Sequence, residues 1–223
     1  MCLQQPVIYT AKAERNAKTQ PKIRAGLWRR KGAFMAESLR GSFLVATRPL
    51  RDPNFFRTVV LILEHGDQGA MGLIVNRPSE RLIRETLNQH FEVPESDDVL
   101  FVGGPVEPES LLLVHNVSEL SNEQTCPVPG MYLGGTADAF AEVMHRASEQ
   151  DPQLKYRIYS GYSGWSPGQL ESELERNDWL TLVAQAEFVF ADDPYQIWEQ
   201  LVARYRASHS LKRGLEQQRP EWN

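Results

Sequence analysis

The chain has 223 residues, 41% of them hydrophobic, and a formal net charge of −5 at neutral pH. That length supports one substantial core. No apolar run reaches the roughly twenty residues that a bilayer-crossing helix needs, and no amino-terminal apolar stretch reads as a secretory signal. Two cysteines, Cys2 and Cys126, are too few for a disulfide framework or a cysteine-based metal site. These features lead us to expect a cytoplasmic protein with no membrane association and no cofactor.

Charge divides the chain. Residues 1–34 hold eight basic side chains and one acid, Glu14, so the excess of acid lies in the remainder. An acidic body is a poor partner for phosphate backbones, which confines any direct nucleic-acid binding to the basic arm. The arm lacks hydrophobic periodicity. It reads as a solvated tail, a targeting peptide, or codons ahead of a start at Met35, the last being favoured because patterned sequence begins there. The expected organisation is a flexible arm over 1–35, one domain over 36–207 and a polar, frayed tail over 208–223.

From Gly41 the chain reads as strands. Ser42 to Thr47 and Thr58 to Glu64 are continuously β-branched and aliphatic, which predicts strands buried on both faces. The turn at His65 to Gly69 joins the second to a third strand, Ala70 to Asn76, as an antiparallel hairpin. Ser79 with Leu82, Ile83, Leu87 and Phe91 predicts a short helix running to Pro94. Val99 to Val102 and Leu111 to Val114 are short strands around the Gly103-Gly104-Pro105 corner. Residues 116–130 read as a surface loop, and Met131 to Leu133 as a further strand. Thr136 caps a helix with Phe140, Val143, Met144 and Ala147 on one stripe.

Lys155 to Ser160 predicts a strand leading into a glycine-rich loop, Gly161-Tyr162-Ser163-Gly164-Trp165-Ser166-Pro167-Gly168-Gln169. Ser166 is placed as an N-cap, Pro167 at the first helical position, and Gln169 as the capping-box partner of a helix ending near Asn177. Trp179 to Val183 reads as a strand, with Phe188 to Phe190 continuing it. Asp193-Pro194-Tyr195-Gln196 repeats the cap, proline, glutamine pattern ahead of a helix burying Ile197, Trp198, Leu201, Val202 and Tyr205. Hairpins mixed with scattered helices imply an α+β domain on a mixed, largely antiparallel sheet.

Several ordered segments together resemble the AlgH/YqgE family, a group of uncharacterised bacterial proteins, some labelled transcriptional regulators. The resemblance is carried by Gly41-Ser-Phe-Leu-Val-Ala-Thr-Arg-Pro-Leu50, Asp52-Pro-Asn-Phe-Phe-Arg-Thr-Val-Val60, and Glu64-His65 ahead of Gly69-Ala-Met-Gly-Leu-Ile-Val-Asn-Arg-Pro78. It continues through Gly103-Gly104-Pro105-Val106, the Gly161 to Glu171 segment, Trp179 and Trp198, covering roughly residues 38 to 207. It implies a bent or bifurcated sheet resembling an incomplete barrel, flanked by helices. It implies no particular reaction.

Gly161-Tyr162-Ser163-Gly164-Trp165 opens like a nucleophile elbow but has tryptophan where the last glycine belongs, and nothing in the sequence brings His65 or His115 to Ser163. Neither Gly103-Gly104 nor the later loop is followed by the lysine of a P-loop. An anion site could instead combine the Pro167 helix start with Arg48 or Arg77, if folding brings those strand ends together. The plainer alternative has Arg48, Asn76 and Arg77 satisfying loop carbonyls and pairing with Asp52 or Glu80. Tyr162 and Trp165 could stack on a flat ligand, though core packing suits them better.

Scattered histidines give no metal spacing, Glu171, Glu173 and Glu175 read as a solvated face, and no helix pair reads as a helix-turn-helix. The candidate ligand-binding set is therefore Arg48, Asn76, Arg77, Gly103, Gly104, Tyr162, Ser163, Trp165 and Gln169. The leading expectation is a protein that binds a protein partner or a small anionic effector and influences gene expression indirectly. The alternative is a hydrolase or phosphate-ester-binding enzyme built on the Gly161 to Gln169 loop.

Overall fold

The computed structural model describes residues 9–10, 38–48, 50, 52–88, 91, 93–120 and 126–217. Apart from Tyr9 and Thr10, the basic arm lies outside these residues, as does the end of the tail. In chain order the elements begin with β1 (Tyr9–Thr10), β2 (Ser42–Ala46), β3 (Val59–Gly66), β4 (Gly69–Ile74), β5 (Pro78–Leu82) and α1 (Ile83–Leu87). Next come β6 (Val99–Val102), β7 (Val106–His115), β8 (Tyr132–Gly134), α2 (Ala137–Ser148) and β9 (Tyr156–Trp165). The chain closes with α3 (Gln169–Glu175), β10 (Trp179–Val183), α4 (Ala186–Val189) and α5 (Ile197–Gln217).

The fold is α+β. One open path of strands runs β1-β7-β9-β4-β3-β2-β10, with β8 added on β7 and the β5–β6 pair branching from β9. Every pairing is antiparallel except β6 with β9. The branch lies in β9. Its first half pairs with β7 and, in parallel, with β6 through Phe101↔Tyr159 and Val102↔Ser160; its second half pairs with β4 through Gly72↔Ser163 and Ala70↔Trp165.

Glycine makes this exchange of partners possible. A Cβ on Gly103 would stand 2.2 Å from the Gly161 carbonyl oxygen, one on Gly104 would stand 2.2 Å from the Tyr162 carbonyl carbon, and one on Gly161 would stand 2.6 Å from the Gly104 oxygen. Two stretches of backbone meet here at distances that admit no side chain.

Strands β2 and β3 are buried on both faces, as their composition predicts. Phe43, Val45, Val59, Leu61 and Leu63 face a core that Val189, Ile197, Trp198 and Leu201 close from α4 and α5. The alternate residues Leu44, Ala46, Val60 and Ile62 face Trp165, Leu170 and Trp179. A third cluster packs Phe140, Val143 and Met144 of α2 with Ile83 and Leu87 of α1 against Leu111, Leu113 and Ile158. Thr136 caps α2 as expected, its hydroxyl accepting from the Ala139 N–H at 3.1 Å.

The structure corrects five local expectations. Residues 78–82 form a strand before a five-residue helix, because pairing of Pro78 with Phe101 and Leu82 with Val99 outweighs the helical start at Ser79. The glycine-rich segment up to Trp165 is strand, not loop. The following helix starts at Gln169 with Gly168, in the left-handed region, as its cap residue; Gln169 nevertheless reaches back to the Ser166 N–H at 3.1 Å as predicted. The apolar run around Phe188 belongs to a helical turn, since a short continuous run fits either element. Helix α5 continues through Ser208 to Gln217.

His115 on β7 is fully buried. Its Nδ1 accepts from the Val117 N–H at 3.2 Å, and its Nε2 has no partner among the described residues. Burial, with a smaller contribution from Arg146, lowers its pKa from 6.5 to about 4.

Two predictions follow from these contacts. Gly161→Ala combines a left-handed φ of +68° with backbone clashes, whereas Gly168→Ala has a φ of +75° but open space; denaturant unfolding should show a loss of about 3 kcal/mol or more for the first and about 1 kcal/mol for the second. Because the folded-state pKa of His115 is depressed, the unfolded chain takes up this proton first as pH falls from 6.5 towards 4. Stability should therefore drop over that window by up to about 3 kcal/mol, and His115→Leu should flatten that part of the profile.

Candidate functional site

Side chains from the ends of β2 and β3, the turn after β4 and the start of α5 meet in a groove of two joined lobes. The first, about 310 Å³, holds Asn76, Arg77 and Tyr195; the second, about 320 Å³, holds Thr47 and Arg48. Phe56, Arg57 and Trp198 line both. The groove thus brings together Arg48, Asn76 and Arg77 from the sequence-derived set, and its lining includes none of Gly103, Gly104, Tyr162, Ser163, Trp165 or Gln169.

Asn76 is the staple of the groove. Its side-chain oxygen accepts from the Val59 N–H at 2.8 Å, and its amide donates to the Arg57 carbonyl at 3.0 Å. The second bond holds Arg57 at a φ of +52°, a conformation that costs a non-glycine residue energy and needs support from its surroundings. The Arg57 guanidinium lies 4.7 Å from the Trp198 ring centre and bonds Glu199 at 2.5 Å. Trp198 in turn donates its indole N–H to the Ala46 carbonyl at 2.8 Å. Arg57 is therefore a neutralised wall.

Arg77 is different. The one hydrogen bond of its guanidinium among the described residues runs to the Asn54 carbonyl at 2.8 Å, and no carboxylate pairs with it there. Partial burial without a counter-ion pulls its pKa below the ordinary value. Arg48, in the other lobe, is exposed and has no ion pair among the described residues. Neither arginine pairs with Asp52 or Glu80. The groove is a cationic concavity with aromatic walls, suited to an anion that carries apolar surface.

The glycine-rich segment is built for other work. Ser163 is fully buried, with its hydroxyl donating to the Gly103 carbonyl at 3.2 Å. The His65 Nδ1 accepts from the Leu39 N–H at 3.1 Å and its Nε2–H donates to Glu171 at 2.9 Å, which fixes the tautomer and ties β3 to α3. Neither that ring nor His115 bonds Ser163, so no base reaches the hydroxyl. Tyr162 lies half-buried with its hydroxyl 3.5 Å from Glu107; burial first, then that carboxylate, pushes its pKa up.

Glu173 accepts from the indole N–H groups of Trp165, at 2.9 Å, and Trp179, at 2.8 Å, and from Gln169 at 3.0 Å. Two of the three glutamates on α3 are thus engaged: Glu171 and Glu173 hold fixed partners, and only Glu175 stands exposed. Phe55 packs on both tryptophans from the turn at Pro53–Phe55, while the next residue, Phe56, faces the groove. Among the described residues no cluster of three histidine, cysteine or acidic side chains could hold a metal, and no helix is long and apolar enough to cross a membrane.

Sequence reasoning missed Phe56, Arg57, Tyr195 and Trp198 as groove residues. The legible signals were Phe-Phe-Arg after Asp52-Pro53, and an exposed tyrosine just inside a proline-initiated turn. Asn76→Ala should cost about 1–3 kcal/mol in denaturant unfolding, because it leaves the Val59 N–H and the Arg57 carbonyl without their partner.

Residues 43–210 match the family described as AlgH-like. A UPF0301 protein of Chlorobium chlorochromatii is 34% identical over 171 residues, which span 77% of this chain and 88% of the relative. One from Myxococcus xanthus is 35% identical over 73% of this chain and 88% of its own length. The solution structure of the AlgH protein from Pseudomonas aeruginosa superposes with a TM-score of 0.59 at 31% identity, covering 79% of this chain and 92% of that one. A crystal structure from Corynebacterium diphtheriae shares the fold at a TM-score of 0.60 with 22% identity. With its sheet branched at the paired glycines, and with the match extending over most of its length, the chain belongs to the AlgH-like family.

Proposed function

We propose that this protein is a non-catalytic binder of a small anionic effector, acting in the cytoplasm and influencing gene expression indirectly through a protein partner. The observation that carries the reading is Arg77. A half-buried guanidinium with no carboxylate partner among the described residues is costly to keep, and an anion in the groove would relieve that cost.

A hydrolytic role has less support. Ser163 is buried, donates to a main-chain carbonyl and meets no base. Direct nucleic-acid reading would fall to the basic arm, since the rest of the chain carries the excess of acid.

The reading is tested by thermal shift and calorimetry on the full chain against a panel of phosphorylated and carboxylate metabolites. At least one anion should raise apparent stability by mass action. Arg77→Met should weaken it about 10- to 100-fold, the range expected on losing a hydrogen bond to a charged group. Arg48→Ala, at an exposed position, should weaken binding with little change in unliganded stability. A flat response across the panel would sink the effector reading and leave the protein partner alone.

A further inference from the structure

We infer that the groove takes a mononucleotide, with its phosphate on Arg77 and its base against Tyr195 and Phe56. The inference rests on the anion-binding reading above and specifies its ligand. Three large hydrophobic side chains stand exposed among the described residues: Phe56 at 64%, Tyr195 at 74% and Val183 at 84%. Two of the three line one lobe of one groove, the lobe that also holds Arg77. Exposed rings are normal when scattered singly, but two facing one concavity mark a binding surface.

The rings come from separate elements. Phe56 follows the turn at Pro53–Phe55, and Tyr195 lies in the turn at Pro194–Gln196 that opens α5. Both turns are fixed by aspartate caps, Asp52 accepting from the Asn54 N–H at 2.8 Å and Asp193 from the Tyr195 N–H at 3.0 Å. Rings so placed offer flat apolar faces with little further ordering to be done on binding.

Charge placement selects the rest of the ligand. Arg57 is already neutralised by Glu199 and stacked on Trp198, so the open cation of the first lobe is Arg77, whose planar guanidinium suits a phosphate. Arg48 supplies a second cation in the adjoining lobe, where the further phosphate of a diphosphate would lie. Each lobe sits at the small end of the range for ligand pockets, which fits a mononucleotide better than a peptide. With Phe56 and Tyr195 in the lobe's lining, the preference should be for purines over pyrimidines by stacking area, with modest choice between adenine and guanine.

The test is calorimetric titration of the full chain with AMP, GMP, UMP, ADP, ribose 5-phosphate, pyrophosphate and adenosine. The expected result is purine nucleotides binding about tenfold or more tighter than ribose 5-phosphate. Phe56→Ala and Tyr195→Ala should lower nucleotide affinity to the ribose 5-phosphate level, Tyr195→Phe should restore it, and Arg77→Met should weaken nucleotide and ribose 5-phosphate alike. If ribose 5-phosphate or pyrophosphate binds as well as AMP, or if the two alanine variants leave AMP affinity unchanged, the nucleotide inference is overturned while the anion site stands. Adenosine binding as tightly as AMP would overturn both the phosphate assignment and the anion reading. Binding of none of the seven would also overturn the nucleotide inference, and the wider metabolite panel would then decide the anion reading separately.

Discussion

The whole architecture hangs on the backbone contact of Gly103 and Gly104 with Gly161 and Tyr162. An ordinary sheet strand keeps the same two neighbours along its length, but β9 exchanges β6 for β4 partway. Hydrogen bonds continue through the exchange: the Gly103 N–H donates to the Ser160 carbonyl, and the Gly103 carbonyl accepts from the Ile74 N–H. Two ladders can share a strand this way only if no Cβ intervenes. The opposite side of β9 pays in regularity, with the β7 register shifting between Val106 and Leu111 and Glu107 held at a φ of +46°.

That branch leaves no room for side chains where it lies. Away from it, the end of β2, the start of β3 and the turn after β4 converge near the start of α5. The branch brings main chain against main chain, and the hydroxyls of its buried serines, Ser160 and Ser163, are consumed in bonding the Pro108 and Gly103 carbonyls. Chemistry is therefore displaced to the sheet's margin. There Asn76 and Trp198 each fasten one element to another through main-chain bonds, so that Arg77, Phe56 and Tyr195 project from rigid supports and not from a free loop.

Much of the fold was legible because its signals are local. Burial of β2 and β3 on both faces follows from unbroken β-branched runs, the β3–β4 hairpin from its turn residues, and the Thr136 cap from its hydroxyl. What escaped was set by distant partners. Residues 78–82 carry a helical start, yet Phe101 and Val99 recruit them into a strand. The glutamates of α3 look solvated in one dimension, and only the approach of Trp165, Trp179 and His65 gives Glu173 and Glu171 their fixed roles. For the groove, Arg48, Asn76 and Arg77 stood out because they close strands; Tyr195 and Trp198, more than a hundred residues away in sequence, could be joined to them only by the docking of α5.

The most conspicuous stretch of the sequence, Gly161 to Gln169, thus argues for architecture, and this changes how the chain's functional capacity should be weighed. A glycine-rich loop beside serine invites a catalytic reading because flexible backbone, exposed hydroxyl and helix start often coincide at nucleophiles. Here each part has a competing assignment: the glycines permit backbone contact, the hydroxyl is buried, and Gln169 holds its own helix start together through Ser166 and Glu173. A catalytic site also needs a base aimed at a nucleophile, and His65, the histidine nearest this segment in partnership, spends both ring nitrogens on the Leu39 amide and Glu171. The groove offers the reverse: open charge beside exposed aromatic side chains, with no cluster among the described residues that could hold a metal. Such a surface can select a ligand and hold it, and through the Arg57–Glu199 pair it abuts α5.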